Sequence, residues 1–265
     1  MNDRKQKVLA LGRTAEMLAW KDGWALKLFF DWFPAEGVRY EARLARAIHA
    51  AELPVPGVGE IVELDGRLGL PYERLYGPSM EAQLLSEPGR LAENAQILAE
   101  LQATIHASGP VPGVPRQQEK LKRKIREARG LSQGQANKLI EALEALPDGD
   151  RLCHGDLHPA NVVLTANGPV VIDWIDATLG NPLADVARSA IIMGGTEARA
   201  AHDDPALAGF VRQFLEAYEA YYFEKRPGGA AEYDAWWPII AGARMDEGIE
   251  DLQDWLLAQV EKGLR

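Results

Sequence analysis

The sequence predicts an α+β chain in two parts. A small antiparallel sheet carrying one main helix occupies residues 1–76, and a larger, mostly helical part follows over 77–265. Three observations predict this. Short apolar runs broken by turn residues fill the first 75 positions, which is the rhythm of hairpins. From Pro78 onward the apolar residues recur at helical spacing. A chain of 265 residues also exceeds what one core comfortably serves, so two lobes are expected.

The elements follow in order. Val8 to Gly12 and Thr14 to Trp20 read as strands around a break at Gly12-Arg13. Lys21-Asp22-Gly23 is a turn before a third strand, Trp24 to Phe30. Residues Glu36 to Glu52 carry few breakers and an apolar stripe through Leu44, Ile48 and Ala51, a helix that Pro54 and Pro56 end. Two strands near Glu60–Leu64 and Leu68–Leu75 are joined by Asp65-Gly66, a strong hairpin signal. Helices are then expected over Arg90–Ser108, Gln117–Arg129, Gln135–Leu146, Pro182–Met193, Pro205–Phe223 and Ala230–Gly263, with a Pro- and Gly-rich loop at 109–115.

Bulk properties narrow the function classes. The formal charge of −10 argues against nucleic acid as a partner, because phosphate backbones attract basic surfaces. Cys153 is the single cysteine, so an internal disulfide is excluded, and it reads as a small core thiol. The charged start, Met1 to Lys7, lacks the apolar stretch of a leader, and no run is long enough to span a bilayer. A cytoplasmic protein is expected. The basic run Lys120 to Arg129 reads as a solvated helix face.

The chemistry is concentrated in one segment. His154-Gly155-Asp156-Leu157-His158-Pro159-Ala160-Asn161 is followed by an apolar strand, Val170-Val171-Ile172, that delivers Asp173 and Trp174. Phosphoryl transfer from a nucleotide to a hydroxyl needs a carboxylate to orient the hydroxyl or take its proton. It also needs oxygen ligands for one or two Mg²⁺ and rigid backbone to keep the reactants in line. Asp156 suits the hydroxyl, and Asn161 and Asp173 offer the hard oxygens Mg²⁺ prefers. Lys27 lies mid-strand between Leu26 and Leu28 and should point to the opposite side from them. Glu41, fourteen residues on, lies inside the first helix and is placed to hold that lysine against nucleotide phosphates. Glu36, a competitor, sits at the helix start, where the helix dipole alone accounts for an acid. Asp176 is open between the metal shell and a solvated turn.

The two-part pattern echoes the protein-kinase catalytic loop and its Asp-Phe-Gly, with Gly155 in place of arginine and Trp174 in place of phenylalanine. In this variant form it resembles the aminoglycoside phosphotransferase and choline kinase family of small-molecule kinases. A small antiparallel sheet with one helix after its third strand is the N-lobe plan of kinase-like folds, so the resemblance implies a two-lobed, protein-kinase-like fold. It implies ATP as donor, with GTP not excluded, and Mg²⁺. It implies that His154 braces the catalytic loop and that Asp185, in Asn181-Pro-Leu-Ala-Asp185-Val-Ala, braces helix or loop, Asn181 standing where the family has aspartate. It implies that Thr14 faces phosphate from a glycine-poor turn, and that backbone groups of Glu73 and Leu75, just before the hinge Tyr76-Gly77-Pro78, hold adenine.

The leading reading is a phosphotransferase acting on a hydroxyl of a small molecule, aminoglycoside-, choline- or sugar-like. The alternatives are a protein kinase and a degenerate nucleotide-binding regulatory protein. Against the first, Asp185 follows Asp173 by twelve positions, too few for an activation segment, and no Ala-Pro-Glu follows. Against the second, Lys27, Asp156, Asn161 and Asp173 are all present. For the acceptor, Trp237 and Glu250 are the candidates, set among aromatics and the carboxylates Asp246 to Asp254 that would suit a cationic molecule.

Overall fold

The computed structural model describes residues 7–264; residues 1–6, on which most of the leader reading rests, and Arg265 lie outside the described residues. In chain order, the first half holds β1 (Val8–Leu11), β2 (Ala15–Ala19), β3 (Trp24–Phe29), α1 (Ala35–His49), β4 (Val62–Leu64), β5 (Arg67–Glu73), α2 (Met80–Ser86), α3 (Leu91–Ala107) and α4 (Gln117–Glu127). Then come α5 (Gln133–Ala145), β6 (Arg151–Cys153), β7 (Val162–Thr165), β8 (Gly168–Val171), β9 (Thr178–Gly180), α6 (Pro182–Asp203), α7 (Pro205–Lys225), α8 (Ala230–Arg244) and α9 (Gln253–Gly263). The chain forms two compact units. One comprises the chain up to Pro78 with Val111–Gly113 and Val163–Ile175, and the other comprises the rest.

In the first unit, five antiparallel strands run in the order β1-β2-β3-β5-β4. Asp65 (φ 51°) and Gly66 (φ 77°) both adopt the left-handed conformation that a two-residue hairpin needs between β4 and β5. Strand period sorts β3. Leu26 and Leu28 pack with Leu18, whereas Phe29 packs with Val38 and Ala42 of α1. Lys27, in phase with Phe29, therefore faces α1. The β7–β8 hairpin joins this unit through Val171 N–H to the Pro54 carbonyl (2.7 Å) and Leu164 N–H to the Pro78 carbonyl (2.9 Å). Gly77 is required here, because a Cβ at that position would collide with the Leu164 carbonyl.

The second unit is helical, with α3 packed on α7, α6 on α7 and α8, and α8 on α9. The starts of α5, α6 and α7 are capped by side chains of types that cap well. Ser132 and Gln135 form a reciprocal box on α5, and Asn181 and Asp204 cap α6 and α7, each followed by proline. Two sequence expectations are corrected. The single helix expected over Ala230–Gly263 is broken between α8 and α9 by two 3₁₀ turns around Gly248, whose φ of 62° cannot continue a helix. The basic helix α4 is not simply a solvated face. Lys120 and Lys124, one turn apart, pair inward with Asp176 and Glu247, partners that local sequence does not reveal. Among the described residues no helix is long and apolar enough to cross a membrane.

Candidate active site

The first unit assembles a small ionic cluster on the α1 face of its sheet. Lys27 Nζ lies 2.8 Å from Glu41 Oε1, and the Tyr72 hydroxyl donates to the same oxygen at 2.9 Å. Register explains the meeting. Lys27 pairs with Leu70 across the sheet, so Tyr72, two residues on, shares its face, and Val38, Glu41 and Ala42 are the inward stripe of α1. Burial first, then the Glu41 charge and hydrogen bond, push the Tyr72 phenol well up; the charge of Asp173 adds to this, which places Asp173 near the cluster. Asp173 is exposed, has no hydrogen bond or ion pair among the described residues, and holds φ at 62°. For a non-glycine residue that is an uncommon, costly conformation, of the kind kept where a side chain must be aimed.

Thr14 uses its carbonyl to accept from Phe30 N–H at 3.0 Å, and its hydroxyl has no partner among the described residues. Glu73 N–H is spent on the Gly57 carbonyl (2.7 Å), while Leu75 N–H donates to no backbone carbonyl among them. Glu36 stays exposed at the start of α1, paired with Arg39 and Arg43.

The second unit holds the catalytic-loop segment in a dense network. Asp185, 1% exposed at the first turn of α6, accepts from the backbone N–H groups of His154 (3.0 Å) and Gly155 (2.6 Å) and from Gln102 Nε2 (3.0 Å), and contacts His106 Nε2 at 2.9 Å. Burial alone would raise this carboxyl, but the hydrogen bond and charge of His106 outweigh it and hold the pKa at about 2. His154 is fully buried, and its Nδ1 accepts from Asp156 N–H at 3.1 Å. Gly155 has φ of +80°, and a Cβ there would strike the Asp176 carbonyl. An arginine would not fit, which is a physical reason for this loop's departure from the protein-kinase form.

Asp156 is therefore carried on a loop whose backbone is tied at three consecutive N–H groups. Its Oδ1 accepts from Arg188 at 3.1 Å, and its Oδ2 lies 3.3 Å from Asn161 Nδ2 and 3.7 Å from His158 Nε2. Burial raises the Asp156 carboxyl, yet His158, Arg188 and His154 together hold it far below the usual carboxylate range. Asn161 commits its amide nitrogen to Asp156, donating also to the backbone carbonyl at 2.8 Å. Its Oδ1 has no donor among the described residues. The Asn161 amide oxygen in this unit and the unpaired Asp173 carboxylate in the first are each of the ligand type a hard divalent cation takes.

Arg188 was not singled out from sequence. It also donates from Nε to the Gly155 carbonyl (3.0 Å) and pairs with Glu247 at 2.7 Å. Its signal was a lone arginine in the small-residue run Ala187-Arg188-Ser189-Ala190, three past Asp185 on the same helix face. With Lys120, Lys124, Asp176, Ala243 and Arg244 it lines a cavity of about 50 Å³ beside Gly155. Asp176 is no solvated turn: its Oδ1 takes the Lys120 ammonium at 2.5 Å. Neither Trp237 nor Glu250 reaches this cavity. The Trp237 indole donates to Gln259 at 3.1 Å, and Glu250 is exposed.

Comparison with known proteins agrees with this architecture. An amicoumacin kinase, hAmiN, solved with AMP-PNP, Ca²⁺ and Ami, superposes with a TM-score of 0.64 at 15% identity, over 99% of this chain and 88% of that one. An aminoglycoside-3′-phosphotransferase of type VIII superposes at 0.62 with 21% identity, over 91% and 90%. At these identities the likeness is one of fold, and it shows the two-lobed kinase-like class. In sequence, acyl-CoA dehydrogenase family member 10 of Mus musculus is 30% identical over 179 residues, 59% of this chain; the chain spans only 17% of that relative's length. The sequence profile described as Phosphotransferase enzyme family matches residues 10–233, and the chain, sheet, catalytic loop and most of the helical part included, belongs to that family.

Proposed function

We propose that this protein is a kinase that moves the γ-phosphate of ATP, with GTP as the second candidate donor, onto a hydroxyl of a small molecule, with Mg²⁺. The single observation that carries the reading is the setting of Asp156: a half-buried carboxylate, paired with Arg188, on a loop whose backbone Asp185 and His154 brace. Its low proton affinity makes Asp156 a poor base at rest. It serves first to accept the acceptor's O–H and fix its line of attack, taking the proton only as the new P–O bond forms. Lys27, held by Glu41, grips nucleotide phosphates. Asn161 Oδ1 and the Asp173 carboxylate would hold Mg²⁺, which would supply positive charge to offset that of the nucleotide phosphates. Leu75 N–H and the Glu73 carbonyl take the adenine edge, and the Thr14 hydroxyl lies toward phosphate. The cationic acceptor expected around Trp237 and Glu250 draws no support from the cavity next to the loop, whose wall is rich in cations.

The test measures nucleotide affinity with and without Mg²⁺ in the wild type and in Asp173→Ala. Tight, Mg²⁺-dependent binding that Asp173→Ala weakens roughly tenfold or more is the expected result for a site that coordinates the metal. Equal affinity with and without Mg²⁺ in the wild type would remove the metal role from Asp173.

A further inference from the structure

We infer that the acceptor carries an oxyanion, a carboxylate or a phosphate, and that Arg244 is its docking residue beside the catalytic loop. The inference rests on the kinase reading for the word acceptor, but the site itself does not depend on it. Arg244 ends α8 and is 7% exposed, and its Nε and Nη1 have no hydrogen-bond partner among the described residues. Its ion-pair partner Glu247 stands 3.9 Å from Nε, beyond hydrogen-bond reach. A buried guanidinium with unspent N–H groups is costly, and it fits a site whose missing component is an anion. Both unspent nitrogens belong to the residue type whose planar fork matches carboxylate and phosphate oxygens.

The rest of the wall points the same way. The wall carries Lys120, Lys124, Arg188 and Arg244 against Asp176 and Asp185, and Asp156 and Glu247 adjoin it through Arg188, so formal charge balances over the group. What does not balance is the bonding. Asp156 is taken by Arg188 and Asn161, Asp176 by Lys120, Glu247 by Arg188 and Lys124, and Asp185 by the loop amides and His106. Every carboxylate is engaged and Arg244 is not. Burial, then the neighbouring Arg188 charge, press its pKa down to about 10, so it is still a cation near neutral pH, and no carboxylate among the described residues lies within hydrogen-bond reach of it. The cavity, about 50 Å³, has room for roughly three to five water-sized groups, enough for an oxyanion head. Arg188 bridges this cavity to Asp156, so an acceptor anchored by its anion at Arg244 brings a nearby hydroxyl toward the carboxylate.

The experiment uses two readouts on the full chain. Thermal shift is measured with glycerate and gluconate as hydroxy acids, glycerol 3-phosphate as a phosphorylated alcohol, and ethanolamine and kanamycin as cations. ADP release is then followed with the same panel. At least one oxyanion class is expected to raise Tm and to turn over. Arg244→Met should abolish that shift and raise the acceptor KM roughly tenfold or more, with nucleotide affinity kept. Arg244→Lys, which keeps the charge without the fork, should fall between and guards against a misfolded Met variant. Response to hydroxy acids alone identifies a carboxylate; response to glycerol 3-phosphate alone identifies a phosphate. Turnover of the cations only, an oxyanion KM indifferent to Arg244, or no oxyanion response in either assay would overturn the inference. Failure of the wild type to bind any nucleotide would instead sink the kinase reading, while the thermal shift with glycerate still reports on Arg244.

Discussion

The ionic cluster of the sheet unit and the network under the catalytic loop solve different problems. Around Lys27 one ion pair and one phenol suffice, and the lysine keeps part of its surface in water. Around Asp156 a single buried carboxylate, Asp185, gathers two loop amides, an amide side chain and an imidazole. A long, mobile cation needs only to be steered, whereas a carboxylate that must orient a hydroxyl to within a few tenths of an ångström needs its backbone immobilised. The first arrangement should therefore be soft to mutation in stability and sharp in ligand binding, and the second the reverse except at Asp156 itself.

The largest effect is expected at Asp156. Asp156→Ala should lower kcat by roughly 10²–10⁴, the range for a lost acid–base group, with nucleotide affinity close to wild type. Wild-type kcat in that variant would remove Asp156 from the chemistry. Next is Asp185→Ala, which strands several buried donors and should cost roughly 3–5 kcal/mol of stability in denaturant titration. The same carboxyl sets an acid limit. Its folded pKa of about 2 lies below the ordinary 3.8, so its stabilisation is full above about pH 4 and is lost as pH falls through 2; the amount is of order 2 kcal/mol. An acid transition unchanged by Asp185→Asn would break the contrast between the two regions. The smallest stability change belongs to the sheet cluster. Lys27→Met should cost no more than about 1 kcal/mol, as a partly exposed pair, yet raise nucleotide KM. A stability loss as large as that of Asp185→Ala would erase the comparison.

The fold class was legible because its signals are local. Asp65-Gly66 demands a hairpin, the residues around Lys27 alternate at strand period, and the stripes of α1 and α3 repeat at helical period. The meeting of Lys27 with Glu41 follows from strand phase and helix register, both short-range properties. The break at Gly248 was passed over because a lone glycine in a helical pattern is weak evidence for a stop.

By itself the sequence determined the two-part architecture, the five strands and the helix of the sheet unit and the residue types of the catalytic loop, since these depend on backbone preferences and periodicity within a few turns of chain. The tertiary structure alone decided what surrounds Asp156. His106, Lys120, Arg188, Arg244 and Glu247 come from helices and turns scattered over 142 positions, and each by itself reads as an ordinary polar residue. Which of them is buried, which ion pairs close and which guanidinium is left with unspent donors are set by helix packing. A buried charge acquires its meaning only from the neighbours that packing brings to it.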